Sequence, residues 1–289
     1  MNKRNYIHID EVQPLIPLSR RVPFYYTEYS RIKRKNNDIR ILKADLKEEY
    51  SVPVCGIGGL FLGPGTSITA ESMRIISSRG CLIGVMGGNA SPLYLCSTQH
   101  RSPLPRVRQH KIVFDEKKRI NAAKILFKRR ALFIKKFSSI IPPPFPSCAE
   151  NDTINTLLSK EGAWARQAYK SLAVQYEIPY VKRGKPFRGK KDPLTFLNFL
   201  SYSLADLTIL HLGYDPNIGV LHGRTKGGGL SYDLADIVKP IVALELSFQA
   251  IKEEWSLTEI KNQFMKLVLE IDVLNYLLKT LKEVFKKDS

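Results

Sequence analysis

The stretch STQHRSPLPRVRQH, residues 97–110, divides the chain into two parts of different character. Prolines at 103 and 105 and arginines at 101, 106 and 108, with another at 119, make it polar and punctuated. Such a segment is too broken for a regular element and suits an interdomain connection. Ahead of it the chain reads as strand and turn. Phe24-Tyr25-Tyr26 and Ile39-Arg40-Ile41-Leu42 are short β-type runs, and Val52-Pro53-Val54 leads through glycines into Leu60-Phe61-Leu62. A glycine-rich turn over 63–69 ends on Thr69, an N-cap for a helix over 70–78. Gly80 stops that helix, residues 81–86 form a buried strand by composition, 87–92 turn, and 93–96 form another strand.

Behind the divide the pattern is helical. Asp115-Glu116 opens a helix whose later turns carry Lys128, Arg129, Arg130, Lys135 and Lys136, charges that complement the macrodipole at both ends. The prolines at 142–144 end it. Further helices are expected at about 153–175, 193–212, 232–252 and 257–287. The last carries Phe264, Leu267, Ile271, Leu274, Leu278, Leu281 and Phe285 at three- and four-residue steps, one amphipathic face. The expected fold is therefore α+β in two domains: a β-rich domain over 1–98, a linker over 99–112 and an all-α domain over 113–289.

The charge balance restricts the partner. Among 289 residues, 45 Lys+Arg against 27 Asp+Glu leave a net charge of +18, which attracts polyanions and points to nucleic acid. The densest basic stretch is Lys182, Arg183, Lys185, Arg188, Lys190 and Lys191, interleaved with glycine and proline as a loop able to follow a phosphate backbone. The plainer reading of that stretch is a solvated loop with no partner. The four cysteines, 55, 81, 96 and 148, are too scattered for a zinc ribbon or a disulfide scaffold and read as reduced thiols. The first fourteen residues lack an apolar signal core, and no uncharged apolar run approaches the roughly 18 residues of a membrane helix. The reading is a soluble cytoplasmic protein.

Three segments offer hard or borderline metal donors, as metal-dependent phosphodiester chemistry requires. In Leu157-Leu158-Ser159-Lys160-Glu161-Gly162, Ser159 is the expected cap and Glu161 stands in the first helical turn. In Gly219-Val220-Leu221-His222-Gly223-Arg224, a glycine-flanked histidine follows Asp215-Pro216 in a loop or a tight bend. In Ser231-Tyr232-Asp233-Leu234-Ala235-Asp236, two carboxylates three residues apart share a helix face. Glycines 227–229 let the backbone pass from one to the other. Each piece alone has a plain reading: a macrodipole complement, a hydrogen-bonded core histidine, an N-terminal acid.

The run GVLHGRTKGGGLSYDLADIVK, residues 219–239, closely resembles the active-site segment of the CRISPR-associated integrase family, and most of all its subtype I-F branch. LGPGTSIT at 62–69 with Met73-Arg74, GVMGG at 84–88, and the Leu157-Leu158 setting of Glu161 resemble the same family in the same order. The chain is shorter than the I-F pattern, especially between the linker and Glu161. The resemblance implies Glu161, His222 and Asp236 as ligands of one Mg²⁺ or Mn²⁺, with Asp233 as a supporting catalytic carboxylate. It implies Arg224 and Lys239, with Lys226 between them, on DNA phosphates, and Tyr232 packed at the site. It further implies a homodimer made by the β-rich domain, a catalytic helical domain, and a second CRISPR adaptation protein as partner, alone or fused to a helicase-nuclease. The reaction implied is insertion of protospacer DNA at a CRISPR repeat by 3′-hydroxyl attack on a phosphodiester. A structure-specific nuclease for branched DNA would use the same residues with water as nucleophile. A non-catalytic nucleic-acid-binding protein would need none of them.

Overall fold

The computed structural model describes residues 16–43, 49–86, 92–96, 102–140, 143–178, 192–223 and 227–286. Its first part holds strands β1 (Val22–Thr27), β2 (Ser30–Lys35), β3 (Asp38–Lys43), β4 (Glu49–Val52), β5 (Ile57–Leu62) and β6 (Ser67–Ile68). Helix α1 (Ala70–Ser78) and strands β7 (Leu82–Met86) and β8 (Pro92–Cys96) follow. Two four-stranded sheets result. One has the order β1-β5-β7-β8, parallel except for the last pair; the other has the order β4-β3-β2-β6, antiparallel except for β2 with β6.

Alternation decides which residues face inward. Ile32, Ile39 and Ile41 of the second sheet meet Leu60, Leu62 and Ile83 of the first, and Ile75 and Ile76 of α1 close this small core. Thr69 caps α1 as its sequence indicates, its hydroxyl accepting from the Ser72 N–H. The opposite face of the first sheet joins a larger core: Phe24, Phe61 and Leu82 pack with the helices, and Phe24 meets Phe61 edge-on at 4.9 Å. β5 is thus buried on both faces. A Cβ at Gly58 would lie 2.7 Å from the Pro23 carbonyl and 3.1 Å from Leu207, so glycine lets a helix settle onto this strand.

That helix is α5 (Pro193–Leu212). By length and composition it could cross a membrane, yet Leu197, Leu204, Ala205, Leu207 and Ile209 are packed inside the helical core. Its hydroxyls at Ser201, Ser203 and Thr208 donate back to carbonyls one turn earlier, so these three buried groups are satisfied within the helix. Against it pack α6 (Gly229–Lys239), α7 (Leu246–Lys252), α8 (Leu257–Glu270) and α9 (Val273–Val284), and the helical part also holds α2 (Leu104–Val113), α3 (Glu116–Phe137) and α4 (Ile154–Gln175). The α+β class, with a β-sheet part followed by a helical part, is the one expected.

Several elements differ from their sequence expectations. The segment that reads as too broken for an element contains α2, because Pro103 and Pro105 fall at the N-cap and in the first turn, where no N–H is needed. Ser159 caps nothing: Thr153 and Thr156 form the capping box of α4, and Glu161 lies about two turns inside the helix. The helix expected over 257–287 is two helices, turned at Asp272, which adopts a left-handed φ of 51°. The helix expected from 232 begins at Gly229 and passes through a π-helical segment, Pro240–Glu245, before α7. Of the cysteines, Cys55, Cys81 and Cys148 are free thiols, with Cys81 alone of these buried.

Candidate metal centre

Glu161 projects from α4 and Asp236 from α6, while His222 stands on the irregular segment between α5 and α6. The path of that segment requires glycine. A Cβ on Gly219 would lie 2.5 Å from the backbone of Gly229, and one on Gly229 would lie 2.7 Å from the Gly223 carbonyl. Backbone therefore rests on backbone where the histidine segment crosses the start of α6. Gly223 and Gly228 add φ values of 88° and 79°.

Asp233 ties the two elements together. Its carboxylate is wholly buried and accepts from the N–H groups of Val220, Leu221 and His222, the latter two at 3.0 Å. It also meets His222 Nδ1 at 2.8 Å. A carboxylate accepts rather than donates, so Nδ1 carries the proton, and in the neutral imidazole Nε2 is left with a lone pair. Nε2 lies 3.6 Å from Asp236 Oδ2. One donor atom each from Glu161, His222 and Asp236 falls within 4.8 Å of the others. Asp233, with its oxygens engaged, stands behind His222 and outside this group.

Two cations flank the carboxylates. Arg130 of α3, 8% exposed, donates through a terminal nitrogen to Glu161 Oε1 at 2.5 Å. Its guanidinium lies over the rings of Phe145 and Trp164, at 4.8 and 5.2 Å from their centres. Lys239 donates to Asp236 Oδ1 and to the Tyr202 hydroxyl, each at 2.7 Å. Tyr232 packs edge-on to both Tyr202 and His222. Arg130, Glu161, His222, Tyr232, Asp236 and Lys239 line a cavity of about 430 Å³.

The charges reshape each other's acidity. Burial pushes the Asp236 carboxyl upward, but Lys239, Arg130 and His222 outweigh it and hold it below its ordinary value. Burial by itself would lower the basicity of His222. The Asp233 hydrogen bond, with the charges of Asp236, Asp233 and Glu161, prevails and holds the imidazole above its ordinary value.

The structure thus brings together Glu161, His222, Asp236, Asp233, Lys239 and Tyr232, all named from sequence. Arg224, Lys226, Lys182, Arg183, Lys185 and Arg188 lie outside the described residues. Arg130 and Tyr202 were missed. Arg130 reads as one more charge in a basic helix end, yet Leu126, Phe127, Phe133 and Ile134 at three- and four-residue steps place it on the apolar face, a signal of burial.

Residues 24–140 and 144–282 match the family model of CRISPR associated protein Cas1. The CRISPR-associated endonuclease Cas1 2 of Chlorobaculum tepidum is 28% identical over 273 residues, 91% of this chain and 87% of that protein. Among solved structures, TtCas1 aligns with a TM-score of 0.74 at 23% identity, over 93% of this chain and 100% of that one. The TtCas1-DNA complex gives 0.62 at 24%, over 92% and 97%. A casposase bound to integration product gives 0.67 at 14%, over 93% and 92%. These structural likenesses concern the fold, a β-sheet part followed by helices.

Proposed function

The chain belongs to the CRISPR-associated Cas1 family, and on that premise we propose that it is a metal-dependent DNA endonuclease and integrase that inserts protospacer DNA into a CRISPR array. The observation that carries this reading is the convergence of Glu161, His222 and Asp236 on one cavity, with a cation beside each carboxylate. Two carboxylates and an imidazole with a free Nε2 fit a hard or borderline divalent ion, Mg²⁺ or Mn²⁺. Such an ion supplies Lewis-acid stabilisation of charge on a phosphate and on a departing oxygen.

The chain's own residues supply the rest. Asp233 is a positioning residue: it fixes the tautomer and direction of His222. Lys239, and Arg224 and Lys226 near it in sequence, bind phosphate. Lys182, Arg183, Lys185 and Arg188 grip DNA without regard to sequence, so affinity falls steeply with salt. The 3′-oxygen of the incoming strand bonds to phosphorus at the repeat boundary as the bond to the resident strand's 3′-oxygen breaks. The proton leaving the attacking hydroxyl is balanced by one gained on the departing oxygen.

The organisation goes with this reading. The β-rich part over 1–98 makes a homodimer and meets the second CRISPR adaptation protein, and the helices from α2 onward hold the chemistry, α2 itself taking up most of the expected 99–112 linker. A subtype I-F affiliation and a cytoplasmic setting belong to the same proposal. Support comes from the family match, from a relative named an endonuclease, and from a fold neighbour bound to integration product.

The test is strand transfer with labelled duplex DNA and Mn²⁺. Asp236→Ala and His222→Ala are expected to abolish joining while DNA binding persists. Joining at the wild-type rate by either variant would overturn the ligand assignment.

A further inference from the structure

His222 stands on a segment, residues 213–223, that has no regular secondary structure, and a ligand on such a segment is placed only as well as the backbone beneath it is pinned. Three helices do the pinning, and they divide the polar groups between them. α6 takes N–H groups: those of Val220, Leu221 and His222 all donate to Asp233. α3 takes a carbonyl, with Arg119 Nε donating to Val220 at 2.8 Å. α2 supplies Gln109. Its side-chain nitrogen donates to the carbonyls of Asp215 and Ile218, and its oxygen accepts from the Asp215 N–H, all three at 2.8 Å.

Gln109 is wholly buried, although its neighbours Ile112 and Val113 show that apolar residues serve the inward face of α2. A buried amide is costly unless it is fully paired, and here every recorded partner is backbone of one short segment. Anchors at 215, 218, 220 and 222 leave that segment no play between α5 and His222. Gln109 does not line the metal cavity, so whatever it contributes there passes through His222.

We propose that Gln109 is a positioning residue of the metal centre: it fixes residues 215–218 so that His222 Nε2 is presented to Glu161 and Asp236 before a metal arrives. The inference rests on the reading of those three residues as metal ligands. A side chain that merely filled space would influence stability, whereas a positioning residue influences how tightly the metal is held.

The experiment is a Mn²⁺ titration of the full chain, following free Mn²⁺ by electron paramagnetic resonance. Gln109→Met keeps the volume and removes all three hydrogen bonds. It is expected to weaken Mn²⁺ binding about tenfold, the low end of the range for partners that support metal ligands. Ile41→Ala, which loosens the small core between the sheets, is expected to bind Mn²⁺ as the wild type does. Should Gln109→Met fail to fold, Gln109→Asn, which keeps the amide but falls one methylene short, takes its place with the same expectation. A folded Gln109 variant with wild-type affinity, or an equal loss in Ile41→Ala, would overturn the inference. If Asp236→Ala leaves Mn²⁺ binding unchanged, the ligand reading itself fails and Gln109 has no centre to position.

Discussion

The small core between the two sheets and the cavity between α4 and α6 are built on opposite principles. The first is apolar: Ile32, Ile39, Ile41 and Leu60 are fully buried and demand nothing beyond shape and exclusion of water. The second withdraws Arg130, Glu161, Asp233, Asp236 and Lys239 from solvent and is stable only because each charge faces an opposite charge or a row of donors. An apolar core yields a little at a time as atoms are removed. A charged cavity fails when one partner is lost, because the remaining charge stays buried without it. Variants on both sides can break or sharpen this contrast.

The largest effect is expected at Asp233. Asp233→Ala strands three backbone N–H groups and frees the imidazole, so a stability loss of about 3 kcal/mol or more should accompany loss of strand transfer. Urea unfolding read beside a joining assay measures both. A stability change within experimental error would mean that the histidine segment is held by packing alone.

Arg130→Met comes next. Phe145 and Trp164 can still pack on the methionine, but Glu161 loses its counter-charge at low exposure, and about 2–4 kcal/mol should be lost at neutral pH. The loss should shrink when Glu161 is replaced by Gln in the same chain, and a double-mutant cycle reads the coupling. A cycle that closes to zero would place Arg130 with the aromatic packing rather than with the carboxylate.

His222 provides a dependence on pH. Its folded pKa is raised, so metal-free protein gains stability from it that is fully present below about pH 6.5 and fades as pH rises through the folded value. The melting-temperature gap between wild type and His222→Gln should therefore widen toward acid. Mn²⁺ affinity should move the other way, falling as the protonated imidazole stops offering a lone pair. A gap that is flat between pH 5.5 and 8 would contradict the electrostatic account.

The smallest effect belongs to the apolar side. Ile41→Val removes one buried methyl and should cost about 1 kcal/mol, with no change in metal affinity or joining. An altered Mn²⁺ titration in this variant would show the two regions to be coupled after all.

The same contrast explains what could be read in advance. Strands and capped helices follow from local rules, and Thr69, Asp115 and Asp192 each accept from the backbone at their helix starts. The proposed metal donors are legible because residue type and family pattern are both printed in the chain. α2 escaped notice because two prolines look alike in a linker and in a first helical turn. The corner at Asp272 escaped because an aspartate in a left-handed conformation leaves no mark resembling glycine. Arg130 and Gln109 were missed for a different reason. Their roles depend on partners 31 and 106 positions away, and spacing along one element carries no information about such pairs.

Helix α5 carries a consequence for how the chain is made. Much of the surface that covers this apolar helix comes from α6 to α9, which follow it in sequence. During synthesis its greasy sides emerge well before their covers and must be shielded until the later helices fold back over them. Shortening the chain ahead of α9 would leave one of those covers permanently missing. The expected product is an aggregate, even though every proposed ligand of the metal would still be present in it.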